Sequence, residues 1–343
     1  MNLVYTPNAA FDVFADWITD SAFVPTQSLT PDIKIACVPL WHDIDYSQFD
    51  LVLISDIEFK HINPVKQWIA DKNIKQGLVA LGGTEGYTAS GDFVYRPWWM
   101  FNLVSKNTFT DTAQDKQLDF DVLLGSKKPH RDFVMAKMQL SDLLDNSLVN
   151  YRNVFKAPEF VDNVLVKHVT EQLNGQELLY PYVSPNLNPA WEVKDTISYD
   201  VSDIVPWDMY RHTKYSIVAE TLYEKVFFLT EKTTKPLFAK RLFIVFSSAG
   251  FLQHLHTMGF KTFNSVIDES YDLETNTVRR FEMAFSQVEY LSKLSYNDVL
   301  NKITPVLEHN HNRLLEYRQE IKRRMQEMVY NKLEEIKHAN SIQ

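Results

Sequence analysis

The chain has few of the residues that several functional classes require. Cys37 is the only cysteine among 343 residues. That excludes an intrachain disulfide and any zinc site built from several cysteines, and it suits a reducing compartment such as the cytoplasm. Nine glycines are present, and they form neither G-x-G-x-x-G nor G-x-x-x-x-G-K-[ST], so the common glycine-based dinucleotide and P-loop readings lose their main support. No apolar run approaches the ~18 residues of a membrane span. The start, MNLVYTPNAAFDVF, has neither the basic beginning nor the long apolar stretch of a secretory leader. Positive charge is in deficit: 35 Lys and Arg against 44 Asp and Glu give a formal net charge of −9. That counts against simple phosphate-driven binding of nucleic acid. There is no internal repeat and no low-complexity tract.

What is present is ample core material. Hydrophobic residues make up 45%, aromatics 13% and charged residues 23%, the composition of a globular protein long enough for two domains of ~150 residues. Short apolar runs alternate with helix-like stretches. Leu3-Val4-Tyr5, Ile33–Val38, Asp50–Ser55 and Leu78–Leu81 read as strands, with helical patterns from Ala9 to Asp20 and from Asn63-Pro64 to Asp71. After a polar stretch the pattern restarts. Phe120–Leu124, Tyr215–Ala219 and Leu242–Phe246 read as strands, and His130–Leu144, Asp162–Leu173 and Ala249–Met258 as helices. From about Glu274 the chain is wholly helical. This rhythm predicts an α/β protein with two Rossmann-like domains and a helical tail, divided as 1–110, 111–292 and 293–343. Ligands in open α/β sheets sit beyond the carboxyl ends of the strands, so residues directly after each strand are the candidates.

The most specific segment follows Tyr215–Ala219. Glu220 ends that strand, and ten residues later comes Thr230-Glu231-Lys232-Thr233-Thr234-Lys235-Pro236. Thr230 suits a helix cap, with Pro236 either bending the helix or starting the helix proper. A helix N-terminus beside the strand ends favours an anion. Lys232 adds a charge for a diphosphate, and Glu231 can accept two hydrogen bonds from a ribose diol.

Tyr215–Glu220, Thr230-Glu231-Lys232, Pro236-Leu237 and Leu242–Val245 together resemble the donor-binding region of fucosyltransferase-like and exostosin-like glycosyltransferases. Gly250–Leu255, Gly259–Phe263 and Asp268–Asp272 resemble sugar transferases of large double-stranded DNA phages. Leu124-Gly125 with His130-Arg131 resembles the first strand and helix start of the same donor domain. The resemblance covers roughly residues 118–292, and the first hundred residues match only in layout. It implies a GT-B fold, a GDP- or UDP-linked sugar donor, no cofactor and no metal. Under it, Arg131 and Lys232 contact the diphosphate with Thr230 and Lys235 nearby, Glu231 holds the nucleotide ribose, and Glu220 lies near the donor sugar. The sequence departs from the fucosyltransferase pattern at Thr221-Leu222, where that family has Asn-Ser. The implied setting is the cytoplasm, that of the host for a phage-encoded chain.

An inverting transfer needs a base on the acceptor hydroxyl. Candidates after the first-domain strands are Glu85, Asp56, Glu58 and Asp43. Asp43-Ile44-Asp45 also forms a D-x-D, the metal-binding pair of another transferase class, but such pairs arise by chance in an acidic domain and no metal is expected. Arg96-Pro97-Trp98-Trp99 offers a stacking surface for an acceptor, or else a domain-closing apolar segment. The acceptor is a glycan or, in a phage setting, a hydroxymethylated DNA base. A basic patch from Lys127, Lys128, Arg131, Lys232, Lys235, Lys240 and Arg241 would serve the latter. Leu314, Tyr317, Ile321, Met325, Met328 and Ile336 recur at helical spacing, an amphipathic tail that packs on the first domain or forms a dimer seam. Monomer and homodimer both stay open. The alternative to an enzyme is an inactive nucleotide-binding or structural protein with a transferase-like fold.

Overall fold

The structure is a computed structural model that describes residues 2–5, 33–59, 61–83, 92–112, 116–152, 163–180 and 204–341. It divides into two compact units, Met1–Trp98 with Glu316–Gln343, and Trp99–Leu315. Each is built on a wholly parallel sheet.

The first unit carries five strands in sequential order: β1 (Asn2–Tyr5), β2 (Lys34–Pro39), β3 (Leu51–Phe59), β4 (Gly77–Gly83) and β5 (Phe93–Tyr95). Both faces of the central strands are covered, so their sequences are near-continuous apolar runs rather than alternating ones. On one face Ala36, Val38, Val52, Ile54, Val79 and Leu81 pack with Val65 and Trp68 of α1 (Ile62–Asp71) and with Tyr46 and Phe49. The alternate residues Ile35, Cys37, Leu51, Leu53, Leu78 and Ala80 are buried as well, so the single cysteine belongs to the core. Helix α1 begins one residue before the expected cap. His61 precedes it without a side-chain cap, and Pro64 sits in the first turn, where its missing N–H costs nothing.

The second unit begins with α2 (Trp98–Lys106), whose first residue ends the first unit, and continues with β6 (Leu118–Ser126) and α3 (Pro129–Leu140). Then come β7 (Ser147–Arg152), α4 (Val164–Leu173), α5 (Trp207–His212) and β8 (Thr213–Ala219). After these follow α6 (Glu231–Phe238), β9 (Phe243–Phe246), α7 (Phe251–Thr257), α8 (Thr277–Leu291) and α9 (Tyr296–Ser341). The strand order is β7-β6-β8-β9. From β6 the chain steps to one side to make β7, then passes back across β6 to lay β8 on its other side. The direction of winding therefore reverses between β6 and β8. In open α/β sheets the loops leaving two such neighbouring strands diverge, which makes their carboxyl ends the favoured place for a ligand. The first sheet, wound in one direction throughout, has no such reversal among its described strands.

At the opposite end of this sheet Asp121 and Arg241 form an ion pair (Nη2 to Oδ1, 2.7 Å), both side chains nearly inaccessible. Arg241 also donates to the carbonyls of Tyr210 and Thr213 and to the hydroxyls of Thr213 and Ser216. Asp121 additionally accepts from the hydroxyls of Ser216 and Thr213. This network ties α5, β6 and β8 to the start of β9. It also corrects the expected basic patch. Arg241 belongs to the amino end of the sheet, and Lys240 pairs with Glu308 there, because both precede β9 whereas Lys128 and Lys232 follow β6 and β8.

Helix α9 is one element of 46 residues that contributes to both units. Its buried seam is Leu314, Ile321, Met325, Val329, Leu333 and Ile336, so Val329 and Leu333 take places expected of Tyr317 and Met328. Within the first unit Lys332 donates to Asp92 at 2.9 Å and to Gln76 at 3.2 Å. Of the expected helices, Ala9–Asp20 lies outside the described residues. Strands β5 and β7 and helices α2 and α5 had no clear sequence signal, being short or placed in polar surroundings.

Gly259, after α7, has φ +87, and a Cβ there would stand 2.6 Å from Arg313 Nε. That guanidinium donates to the Met258 carbonyl at 2.7 Å. Gly259→Ala is expected to destabilise the chain by ~1–2 kcal/mol through left-handed backbone strain and displacement of Arg313. A fall in the urea midpoint at unchanged slope would register it.

Candidate functional site

The reversal point of the second sheet is built by two strand-to-helix passages. In the first, β6 bulges between Leu123 and Gly125, and Gly125 takes φ +67, a left-handed conformation that glycine adopts freely. Lys128 is extended and Pro129 opens α3, where a proline at the first helical position loses no hydrogen bond. Arg131, in the first turn, folds back so that its Nη1 donates to the Ser126 carbonyl (2.8 Å) and hydroxyl (3.2 Å). The arginine is almost wholly buried, yet its Nε meets no acceptor among the described residues.

In the second passage β8 ends at Ala219 and Glu220 is fully buried. Its carboxylate accepts from the hydroxyls of Thr230 (2.5 Å) and Thr233 (2.6 Å) and from the backbone N–H groups of Thr221 (3.1 Å) and Thr230 (3.3 Å). Glu220 therefore clamps the first turn of α6 against the end of β8. Thr230 caps α6 by accepting from the Lys232 N–H. The Lys232 ammonium bonds Glu231 at 2.5 Å and the Thr221 hydroxyl at 3.2 Å.

The two passages meet at residue 221. Lys128 Nζ, from the β6 side, donates to the Thr221 carbonyl at 2.9 Å, while Lys232 reaches the hydroxyl of the same residue. His130 Nε2 lies 2.6 Å from the Glu220 carbonyl, and its ring stacks on Tyr223 at 4.5 Å. Tyr223 is fixed in turn by Asn163, the cap of α4. Three cations, Lys128, Arg131 and Lys232, thus converge on the start of two helices whose free N–H groups also favour negative charge.

The electrostatics follow from this crowding. Burial, followed by the Arg131 and Lys232 charges, pulls the Lys128 ammonium down to about 8. Burial raises Glu220. Burial also works to raise Glu231, but Lys232 and Lys235 more than offset it and hold the carboxyl below its usual range. Burial and the neighbouring Arg131 charge keep His130 neutral. Among the described residues, neither Lys128 nor Arg131 has a carboxylate partner of its own, so the cluster keeps uncompensated positive charge.

Arg131, Glu220, Thr230, Glu231 and Lys232 lie together in the structure, with Lys235 buried one turn along α6. Both Glu220 oxygens are engaged within the protein, so its part is to order the passage. His130 and Tyr223 were absent from the expected donor-site residues, and Lys128 was expected only as part of a basic patch. The cue was Lys127-Lys128-Pro129 after an apolar run, two bases and a helix-starting proline. Asp268–Asp272 proves structural: Asp268 caps a short turn, and Asp272 accepts from the N–H groups of Leu252 and Gln253 at the start of α7. Tyr271 is packed beneath.

The described first-domain candidates are spread over the carboxyl-end portions of β2, β3 and β5. Asp43 is exposed and paired with Lys72 at 2.5 Å, whose hydrogen bond and charge lower its pKa. Asp45 is occupied by Ser47. Among the described residues no three His, Cys, Asp or Glu side chains gather into a metal-binding group. Asp56 and Glu58 were expected after a strand. They lie within β3, which runs on to Phe59 because β4 keeps pairing with it past a bulge. Asp56 is half-buried. Glu85 lies outside the described residues, as do the side chains of Glu58, Trp98 and Trp99. Arg96 is buried just after β5, with its N–H donating to the Leu81 carbonyl. Trp98 and Trp99 open α2. Trp41, after β2, is exposed and stands edge-on to Trp68 at 5.6 Å.

No family model matches the chain, and no curated protein does. A search of solved structures finds a point mutant of T4 phage BGT in complex with UDP-glucose, at a TM-score of 0.35 and 11% identity, over 88% of this chain and 83% of that one. So distant a likeness assigns no donor, acceptor or residue role. No described helix is long and apolar enough to cross a membrane.

Proposed function

We propose that the protein is a glycosyltransferase of the GT-B type that takes a GDP- or UDP-linked sugar at the carboxyl ends of β6 and β8. The observation that carries this reading is the meeting of Lys128, Arg131 and Lys232 with the N-termini of α3 and α6 at the one place where the second sheet reverses its winding. A diphosphate supplies the negative charge this cluster lacks. Lys232 and Arg131 bind it and stabilise it as the leaving group, which substitutes for a metal ion in that role. Glu231, held ionised by Lys232 and Lys235, accepts the ribose hydroxyls. Transfer inverts the anomeric centre: an acid of the first unit, Asp56 or Glu85 before Glu58 and Asp43, takes the proton of the acceptor hydroxyl. Asp43 is the weakest of these, since its pairing with Lys72 lowers its basicity. Arg96, Trp98 and Trp99 belong to the acceptor side in this reading. The acceptor is a glycan or a hydroxymethylated DNA base, and the segments 1–110, 111–292 and 293–343 correspond to acceptor domain, donor domain and tail.

A thermal-shift panel of GDP-, UDP- and CMP-sugars tests the reading. The expected result is a concentration-dependent rise in melting temperature with a diphosphate-linked sugar, about 2.7 kcal/mol of added stability at a hundredfold excess over Kd, and little effect from a CMP-linked one. No stabilisation by any nucleotide sugar would refute it. Binding without turnover on any acceptor would favour an inactive, nucleotide-binding protein.

A further inference from the structure

We propose that Lys128 couples occupation of the β6–β8 site by a diphosphate to the uptake of one proton. The inference rests on the donor-site reading above and deepens it, since it concerns how that site responds to pH.

The geometry isolates Lys128 from the other two cations. Arg131 is a guanidinium and keeps its charge at any accessible pH. Lys232 has Glu231 at 2.5 Å. Lys128 has a neutral hydrogen-bond partner: its ammonium donates to the Thr221 carbonyl, and no carboxylate pairs with it among the described residues. The charged and titratable groups around it come from every element that packs there. Arg131 and His130 belong to its own helix start, Glu231 and Lys232 to α6, Glu220 to the end of β8, and Tyr151, whose hydroxyl meets the Lys128 backbone, to β7. Glu220 and Glu231 favour its charged form, but burial, Arg131 and Lys232 outweigh them and bring its pKa to about 8. In the empty site the lysine therefore loses its proton near that pH. A diphosphate placed among the three cations reverses the balance, because two negative charges then face the ammonium and favour the protonated form. Binding above about pH 8 must take up a proton, and affinity falls as the pH rises through that value. Below it the lysine is already charged, and affinity is level.

The probes are UDP-glucose and GDP-mannose, whose diphosphate is esterified at both ends and carries no proton of its own between pH 6.5 and 9. Dissociation constants are measured across that range for the whole chain and for Lys128→Arg and Lys128→Met, with circular dichroism at each pH to verify folding. For the unaltered protein the constant is expected to be level to about pH 7.5 and to rise above pH 8 toward tenfold per unit. Lys128→Arg is expected to bind with less than twofold variation over the whole range, since its charge is permanent. Lys128→Met is expected to bind more weakly at pH 7 and equally without slope. A level profile in the unaltered protein overturns the inference and leaves the donor site standing, as does a slope that survives in Lys128→Arg. Failure of both sugars and of sulfate to bind at any pH overturns the inference and the donor-site reading together.

Discussion

Arg241→Met should destabilise the second unit by ~3–5 kcal/mol, the usual cost of leaving one member of a buried ion pair without its partner. Asp121 would then keep a carboxylate in an inaccessible position with only hydroxyls hydrogen-bonded to it, the Thr213 carbonyl would lose the guanidinium, and the Tyr210 carbonyl would keep only Lys116. Burial already raises the Asp121 pKa with Arg241 present, so loss of the guanidinium should drive it to bind a proton. Asp121→Asn strands the Arg241 guanidinium in turn and should also be costly, though less so, because the amide oxygen and the Tyr210 and Thr213 carbonyls still accept from it. The double variant should then be clearly less destabilised than the sum of the two singles. Urea unfolding of the four proteins reads this directly. Additive losses would mean that the pair does not act as a unit.

Lys232→Ala should weaken binding of a diphosphate-linked sugar by ~10- to 100-fold, corresponding to ~1.5–3 kcal/mol for a hydrogen bond to a charged group. Its effect on a nucleoside lacking phosphates should be small. Turnover should fall further than affinity, by ~10²–10³-fold, if the ammonium meets charge that grows as the diphosphate leaves. Stability should fall as well, because Lys232 is only 18% exposed and pairs with a nearly buried Glu231, so binding is measured where circular dichroism shows the variant folded. Arg131→Ala is a poorer probe of the same role. Its guanidinium is buried and braces the turn at Ser126, so lost binding would be mixed with lost fold. Equal weakening of diphosphate and nucleoside binding in Lys232→Ala would remove the assigned role.

These two expectations differ in how far the sequence could have supplied them. The Lys232 site was visible because its parts are local. Glu220 is ten residues before Thr230, and the cap and lysine fall within one helical turn. Strand residues with a continuous apolar pattern were equally visible, since a parallel sheet covered on both faces leaves that signature in each strand. The Asp121–Arg241 pair was invisible, and the arginine was assigned to the wrong end of the sheet. Its partners are 120 residues apart, and nothing in either neighbourhood records that β8 inserts between β6 and β9. Lys128 was expected in a basic patch, but its tie to Thr221, 93 residues away, left no trace in the sequence.

The amino-acid sequence by itself determined an α/β chain of parallel sheets, the single thiol, the capped turn at Thr230 and the amphipathic tail. Each of these depends on spacing within one element or between neighbours, which periodicity and capping chemistry encode. Only the tertiary structure decided which strands lie side by side, and with that where the winding reverses, which cations converge there and which basic residues serve the core. Strand order is set by the burial of whole faces at once. It is a property of the sheet that no short stretch of the chain contains.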